Sequence, residues 1–354
     1  MWQGIEGHDS VVELFRTAIS RNRVAGTYLF IGPAGIGKRT FALKLAKTLL
    51  CLNKPPEEMS PCNVCDSCKQ VDAGSHPDVI QIAKPKDKAN IPISMFIGEE
   101  DKRMREGMLY ELGLKPFLGG RKVAVIDDAD LMRVEGANSL LKTLEEPPPK
   151  ALIVLIGTSA DRQLPTIRSR SQWVRFAPLP EELVARLLVS QGVLEDPQQA
   201  QQVARFSEGS LTRAVELADP DLWTFRHRLL EHLTTPHLDS VKFAGEFAEF
   251  VDSAGKEAAA RRARLRKLLA FAVDFYRQLL RLQCGTSPSA DPELSRPALT
   301  AISRWPHAVE TTSAVIDRCL EALTHIERNV NPSILMESWL DDLAALTTKL
   351  PAKK

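Results

Sequence analysis

The run Gly32-Pro33-Ala34-Gly35-Ile36-Gly37-Lys38-Arg39-Thr40 has the make-up of a loop that cradles phosphate. Its glycines let successive backbone N–H groups turn inward. A helix beginning at the end of the loop adds positive potential, and Lys38 adds a point charge for the outer phosphates of ATP. The motif wants a Ser or Thr hydroxyl directly after the lysine, to hold magnesium. Here that place is taken by Arg39, and the hydroxyl comes one residue later at Thr40, rotated by about 100° around the helix. The loop geometry is expected, while binding and hydrolysis of nucleotide are left open. A second group is acidic. The apolar run Val123-Ala124-Val125-Ile126 ends at Asp127-Asp128, and an acid at the carboxyl end of a parallel strand lies in the crevice where ligands bind. Asp127 would hold magnesium through water, and Asp128 would orient an attacking water, one methylene shorter than the usual glutamate. The plainer alternative is that both cap the next turn. The third group is Cys51, Cys62, Cys65 and Cys68. The spacing Cys51-x10-Cys62-x2-Cys65-x2-Cys68, with two successive gaps of two residues, suits a knuckle around one tetrahedral zinc, closed by four thiolates and therefore structural. Cys284 and Cys319 read as ordinary packing cysteines.

These groups need a scaffold that alternates strands with helices. Short β-branched or apolar runs predict strands at 28–31, 79–82, 123–127, 152–157 and 173–176, and helical spacing recurs over 11–21, 41–50 and 137–144. Strands alternating with helices predict an α/β fold with a parallel sheet covered on both faces. The strand signal stops near Pro178 and Pro180, and residues 181–217 read as a small helical bundle punctuated by Gly192 and Gly209. From about Ser240 the pattern is helical, apart from a polar stretch at 285–297. Residues 86–95 show no period and are expected as a surface loop. Domain boundaries are expected near 178 and 238, giving a nucleotide-type domain (1–178, with the zinc module at 51–68), a helical lid (179–238) and an all-helical domain (239–354).

The 354 residues include 46 Lys and Arg against 45 Asp and Glu, a formal charge of +1, so no bulk field draws the molecule to DNA or to an anionic membrane. The N-terminus has no signal-peptide pattern, and no apolar run approaches the roughly 20 residues that span a bilayer. A cytoplasmic location is expected, where clustered cysteines bind metal more readily than they pair.

Further strings carry a resemblance. They are Gly4-Ile5-Glu6-Gly7-His8, Gly74-Ser75-His76-Pro77-Asp78, the stretch Leu140-Leu141-Lys142-Thr143-Leu144-Glu145-Glu146-Pro147-Pro148, and Ile167-Arg168-Ser169-Arg170-Ser171. With the phosphate loop and the cysteine knuckle inserted after it, the chain resembles the clamp-loader subunits of the AAA+ class, in the delta-prime branch of bacterial DNA polymerase III, over nearly its whole length. The gamma/tau motor ATPase is the alternative branch; it usually opens with Tyr-Arg-Pro and carries Thr or Ser after the loop lysine, and neither is present.

The resemblance implies a subunit that joins gamma/tau and delta and helps place the sliding clamp on primed DNA, with its own ATP and magnesium site weak or idle. It implies that Thr158 sits where a first sensor residue reads the terminal phosphate. It implies that Arg170 is an arginine finger acting on a neighbouring subunit's ATP, although Ser171 stands where the motif has cysteine. Arg213, in Gly209-Ser210-Leu211-Thr212-Arg213, matches a second sensor that folds over the chain's own phosphates; without nucleotide it is a helix-surface charge. The C-terminal helices, closing on Asn329-Val330-Asn331-Pro332, Leu335, Trp339 and Leu340, resemble the collar by which such subunits form a ring. Arg261, Arg262, Arg264, Arg266 and Lys267 form a basic run that reads either as a patch for DNA phosphates or as a solvated helix face.

Overall fold

The computed structural model describes residue 2 and residues 4–85, 88–118, 120–235, 239–288, 292–304, 309–328 and 330–348. It divides into two compact units, residues 1–218 and 219–354. In the first unit the chain runs α1 (Asp9–Ser20), β1 (Thr27–Ile31), α2 (Lys38–Leu50), α3 (Asp66–Asp72), β2 (Val79–Ile82), α4 (Ser94–Ile97), α5 (Met108–Gly113), β3 (Lys122–Ile126), α6 (Val134–Glu145), β4 (Ala151–Gly157), α7 (Pro165–Arg168), β5 (Gln172–Arg175), α8 (Glu181–Ser190), α9 (Pro197–Phe206) and α10 (Leu211–Leu217).

The strands form one parallel sheet in the order β2-β3-β4-β1-β5. Its strands are β-branched and apolar because both faces are covered, as the α/β expectation requires. Alternation along β1 sorts the two cores. Leu29 and Ile31 face a cluster with Ile153 and Leu155 of β4, Phe96 of α4, Met108 of α5 and Leu140 of α6. Tyr28 and Phe30 face the other way, into an aromatic group with Phe15 of α1, Phe41 of α2 and Phe176. The order places β4 between β1 and β3, with Ile31 opposite Gly157 and Ile126 opposite Leu155. The loops leaving these three strands therefore open side by side at one edge of the sheet.

The stretch at 86–95 is more than a surface loop. Residues 86 and 87 lie outside the described residues, but Ile91 is buried, bridges to Met132 and donates its N–H to the Leu131 carbonyl. Helices α8, α9 and α10 form the small bundle expected at 181–217. Gly209 enters α10 with φ 73°, and a Cβ there would lie 2.6 Å from the Leu179 carbonyl oxygen, so the tight return of the chain requires glycine.

The second unit is all helical: α11 (Pro220–Leu233), α12 (Ser240–Asp252), α13 (Ala258–Gln283), α14 (Pro292–Arg304), α15 (Val309–Glu327) and α16 (Pro332–Thr348). The boundary expected near 238 and the motif residue Asn329 lie outside the described residues. The closing helix is core-forming: Leu335, Trp339 and Leu340 are buried, the Trp339 ring lies 5.6 Å from that of Phe247, and its indole N–H donates to Cys319 Sγ. In the basic run, Arg261 pairs with Asp252 at 3.2 Å. Arg264 pairs with Asp219 at 3.0 Å and lies over the Phe250 ring. These two cations serve the packing of α13. No helix among the described residues is long and apolar enough to cross a membrane.

Candidate functional site

A cleft of about 460 Å³ opens where β1, β3 and β4 end. Residues 34–40, Asp127, Asp128 and Thr158 line one side of it, with residues of the N-terminal segment and of α8 and α10 around them. The phosphate loop has the expected form. Gly35 and Gly37 have positive φ (74° and 96°), and Gly37 caps α2, so the backbone curls into a nest at a helix N-terminus.

Lys38 is buried and turned onto its own loop, donating to the Gly32 carbonyl at 2.6 Å and the Pro33 carbonyl at 2.5 Å. Burial pulls its ammonium below the ordinary lysine value, against the opposing pull of Asp127, Asp130 and Asp128. Arg39 lies across the acidic strand end. Its Nε is 3.8 Å from Asp127 Oδ2, and its Nη2 donates to Gln81 Oε1 at 3.1 Å. A guanidinium thus lies beside the carboxylate that would otherwise face a metal. Burial, and then repulsion from Asp128, push the Asp127 carboxyl above its usual range. Asp128 sits in left-handed backbone (φ 54°), and its N–H donates to Asp127 Oδ1. The acid pair therefore both lines the cleft and shapes the turn. Thr40 also lines the cleft.

Thr158 is placed at the end of β4 as expected, but both its N–H and its hydroxyl donate to Asp130 Oδ2, at 2.6 and 2.5 Å. Gln163 donates to the other oxygen of Asp130. Arg213 is not among the residues around the cleft; its guanidinium pairs with Glu208 at 2.9 Å. Its helix touches the loop by another route. The N–H groups of Leu211 and Thr212 both point at the Gly35 carbonyl, at 3.0 and 3.4 Å. Three contributors escaped the sequence reading. Asp130 had a signal, as the third acid of Asp127-Asp128-Ala129-Asp130. His8, buried with Nε2 2.7 Å from the Ile36 carbonyl, had none beyond its place in the opening string. Glu145, which holds Arg170, had none beyond its place in the string 140–148.

Arg170 stands apart from the cleft, in the turn after α7. Its Nε donates to Glu145 Oε1 at 2.5 Å, its Nη2 pairs with the same oxygen, and its Nη1 reaches the Thr166 carbonyl and Ser169 Oγ.

The four cysteines come together, with their sulfurs all within 4.8 Å of one another. Tetrahedral zinc with Zn–S bonds of about 2.3 Å requires sulfurs this close. Backbone N–H groups already point at the sulfurs: Cys62 N–H at Cys51 Sγ, Cys65 N–H at Cys62 Sγ and Cys68 N–H at Cys65 Sγ, at 3.3–3.4 Å. Backbone N–H bonds pull the Cys62 thiol down to about 6, while burial and then its neighbours push that of Cys68 up to about 12. Four thiol donors at this mutual separation fit a structural zinc.

His76 is no ligand here. Its Nδ1 accepts from the Asp78 N–H, and its Nε2 meets Ser67 Oγ, which donates to the Leu50 carbonyl. Asp78, fully buried, also accepts from the Phe117 and Leu118 N–H groups and pairs with Lys122 at 3.4 Å. Replacing Asp78 by alanine strands a buried ammonium and two amides, and is expected to cost about 3–5 kcal/mol of stability, read from the shift of the urea-unfolding midpoint.

Comparison with known proteins agrees with this geometry. Residues 7–180 match the family model described as DNA polymerase III, delta subunit. A delta-prime subunit of DNA polymerase III from Bacillus subtilis is 34% identical over 60% of this chain and 59% of its own length. One from Pseudomonas aeruginosa is 35% identical over 56% and 57%. Over this region the chain is similar to delta-prime subunits of DNA polymerase III. The tau subunit of Escherichia coli is 31% identical over 61% of this chain and 32% of its own length, so the delta-prime relatives are the more similar. The chain spans less than two thirds of the length of these relatives. The matched region holds the whole parallel sheet, the four cysteines and Arg170, and stops before α8.

Proposed function

We propose that this chain is the delta-prime-type stator of a bacterial clamp loader, joined to gamma/tau motors and a delta subunit in the cytoplasm, where the assembly uses ATP to place a sliding clamp on primed DNA. Its chemical contribution in this reading is Arg170, offered to a neighbour's ATP, while its own cradle for ATP and magnesium turns over slowly or not at all. The observation that carries the reading is Arg39. The residue that should bring a hydroxyl to magnesium brings a cation to Asp127 instead, and Thr158 is engaged with Asp130. Residues 179–238 would form the lid, of which α11 falls in the second unit, residues 239–354 the collar, and zinc held by Cys51, Cys62, Cys65 and Cys68 would brace the base.

The test is co-elution with gamma/tau and delta from the same cell, together with ATP turnover by the chain alone. One complex containing this chain, and turnover by the isolated chain near background and insensitive to Lys38→Ala, are expected. Robust turnover that Lys38→Ala abolishes would replace this reading with the gamma/tau-type motor, and failure to enter any complex would overturn both.

A further inference from the structure

We propose that Glu145 is the positioning residue for Arg170: its carboxylate holds the side edge of the guanidinium so that the outer edge faces a neighbouring subunit. The inference rests on the finger reading of Arg170 given above. A guanidinium has five N–H donors in a fixed plane. Here Nε and Nη2 are taken by one oxygen of Glu145, and Nη1 donates to the Thr166 carbonyl at 3.1 Å and to Ser169 Oγ at 3.2 Å. Those contacts engage all three nitrogens, from both flanks of the group, and leave the second N–H of Nη2 at its outer end as the donor for a phosphate. They fix the plane of the group before any phosphate arrives.

Both ends of the pair stand on rigid supports, as a preorganised site needs. Glu145 is the last residue of α6, and that end is tied to the sheet: Thr27 Oγ1 donates to the Leu144 carbonyl, and Ala151 N–H to the Pro148 carbonyl. Pro147 packs so closely on Gly26 that no Cβ would fit between them. On the other side, the turn that carries Arg170 is pinned by Ser171 Oγ donating to the Ile167 carbonyl and by the Trp173 indole N–H donating to the Arg168 carbonyl. The pair lies in an open hollow with Leu144, Ser169 and Ser171, so the held arginine stays accessible at the surface. In this frame Glu145 selects the direction of Arg170. A displacement of about 1 Å at such a group costs up to a hundredfold in rate.

The assembled complex is purified with Glu145→Ala, Glu145→Gln, Arg170→Ala, or Glu145→Ala and Arg170→Ala together, and single-turnover ATP hydrolysis is measured with each variant's assembly and thermal midpoint. Glu145→Ala is expected to lower the hydrolysis rate about ten- to a hundredfold with KM for ATP little changed. Glu145→Gln, which keeps an acceptor oxygen, is expected to recover part of that loss. In the Arg170→Ala background Glu145→Ala is expected to have no further effect, because the two act as one unit. A full-rate or faster Glu145→Ala complex, beside a slow Arg170→Ala complex, would overturn the positioning role and leave the finger standing. Additive losses would also overturn it, assigning Glu145 to general structure. Full-rate Arg170→Ala would remove the finger reading and the inference with it.

Discussion

If Arg170 is the finger proposed above, complexes carrying Arg170→Ala are expected to hydrolyse ATP about a thousand- to a hundred-thousandfold more slowly at the neighbour's site that it would serve. The chemical step of phosphoryl transfer spreads charge over the transferring group, and a guanidinium supplied by another subunit stabilises that charge where water cannot. Single-turnover measurements isolate the chemical step, and assembly measured in parallel shows that the complex is intact. Arg170→Lys is expected to rescue little. Lysine has no planar fork, so it cannot meet Glu145 along one edge and phosphate along another. Unchanged DNA-stimulated turnover in the alanine complex would refute the assignment.

Removing the metal is expected to have the second large effect. Protein purified under reducing conditions should carry one zinc per chain by elemental analysis, and Cys68→Ala should carry none. Of the four ligands Cys68 is the buried one, on α3, which is also tied to α2 by the pair between the buried Lys47 and Asp72. Structural zinc contributes about 10–16 kcal/mol of apparent binding free energy to small zinc-finger peptides. In this larger domain, with its own cores, that figure is an upper bound. Chelation is expected to lower the thermal midpoint and to open residues 51–72 to protease, while the sheet persists. A chelated chain with an unchanged midpoint and unchanged protection would rule the site out as a brace.

The sequence disclosed the chemistry that is local and concealed what is assembled across distance. The loop at 32–40, the acids after β3 and the four cysteines are short motifs whose meaning survives without a fold, and each stands where expected. The strands were legible because a sheet covered on both faces demands apolar runs. Their bounds moved by only a residue or so, as at Lys122, which joins β3 because its ammonium is matched to Asp78. Helices α4 and α5 were not legible, since four and six residues give too little periodicity. Side-chain direction was hardest. Thr158 was found by position, but its hydroxyl is turned by Asp130, 28 residues earlier. Arg213 lies on the expected helix yet pairs with Glu208. Nothing in the local string around Glu145 announces the arginine 25 residues later.

The Gly35 carbonyl takes the first amides of α10 and so ties that helix to the phosphate loop. A hinge needs a seam that opens cheaply. Here the seam is stitched by main-chain bonds at the very point where a swinging lid would have to part from its base, and Gly209 leaves no slack on the other side. Any rotation of α10 away from the phosphate loop has to give up both bonds, so they favour its packed position over the cradle.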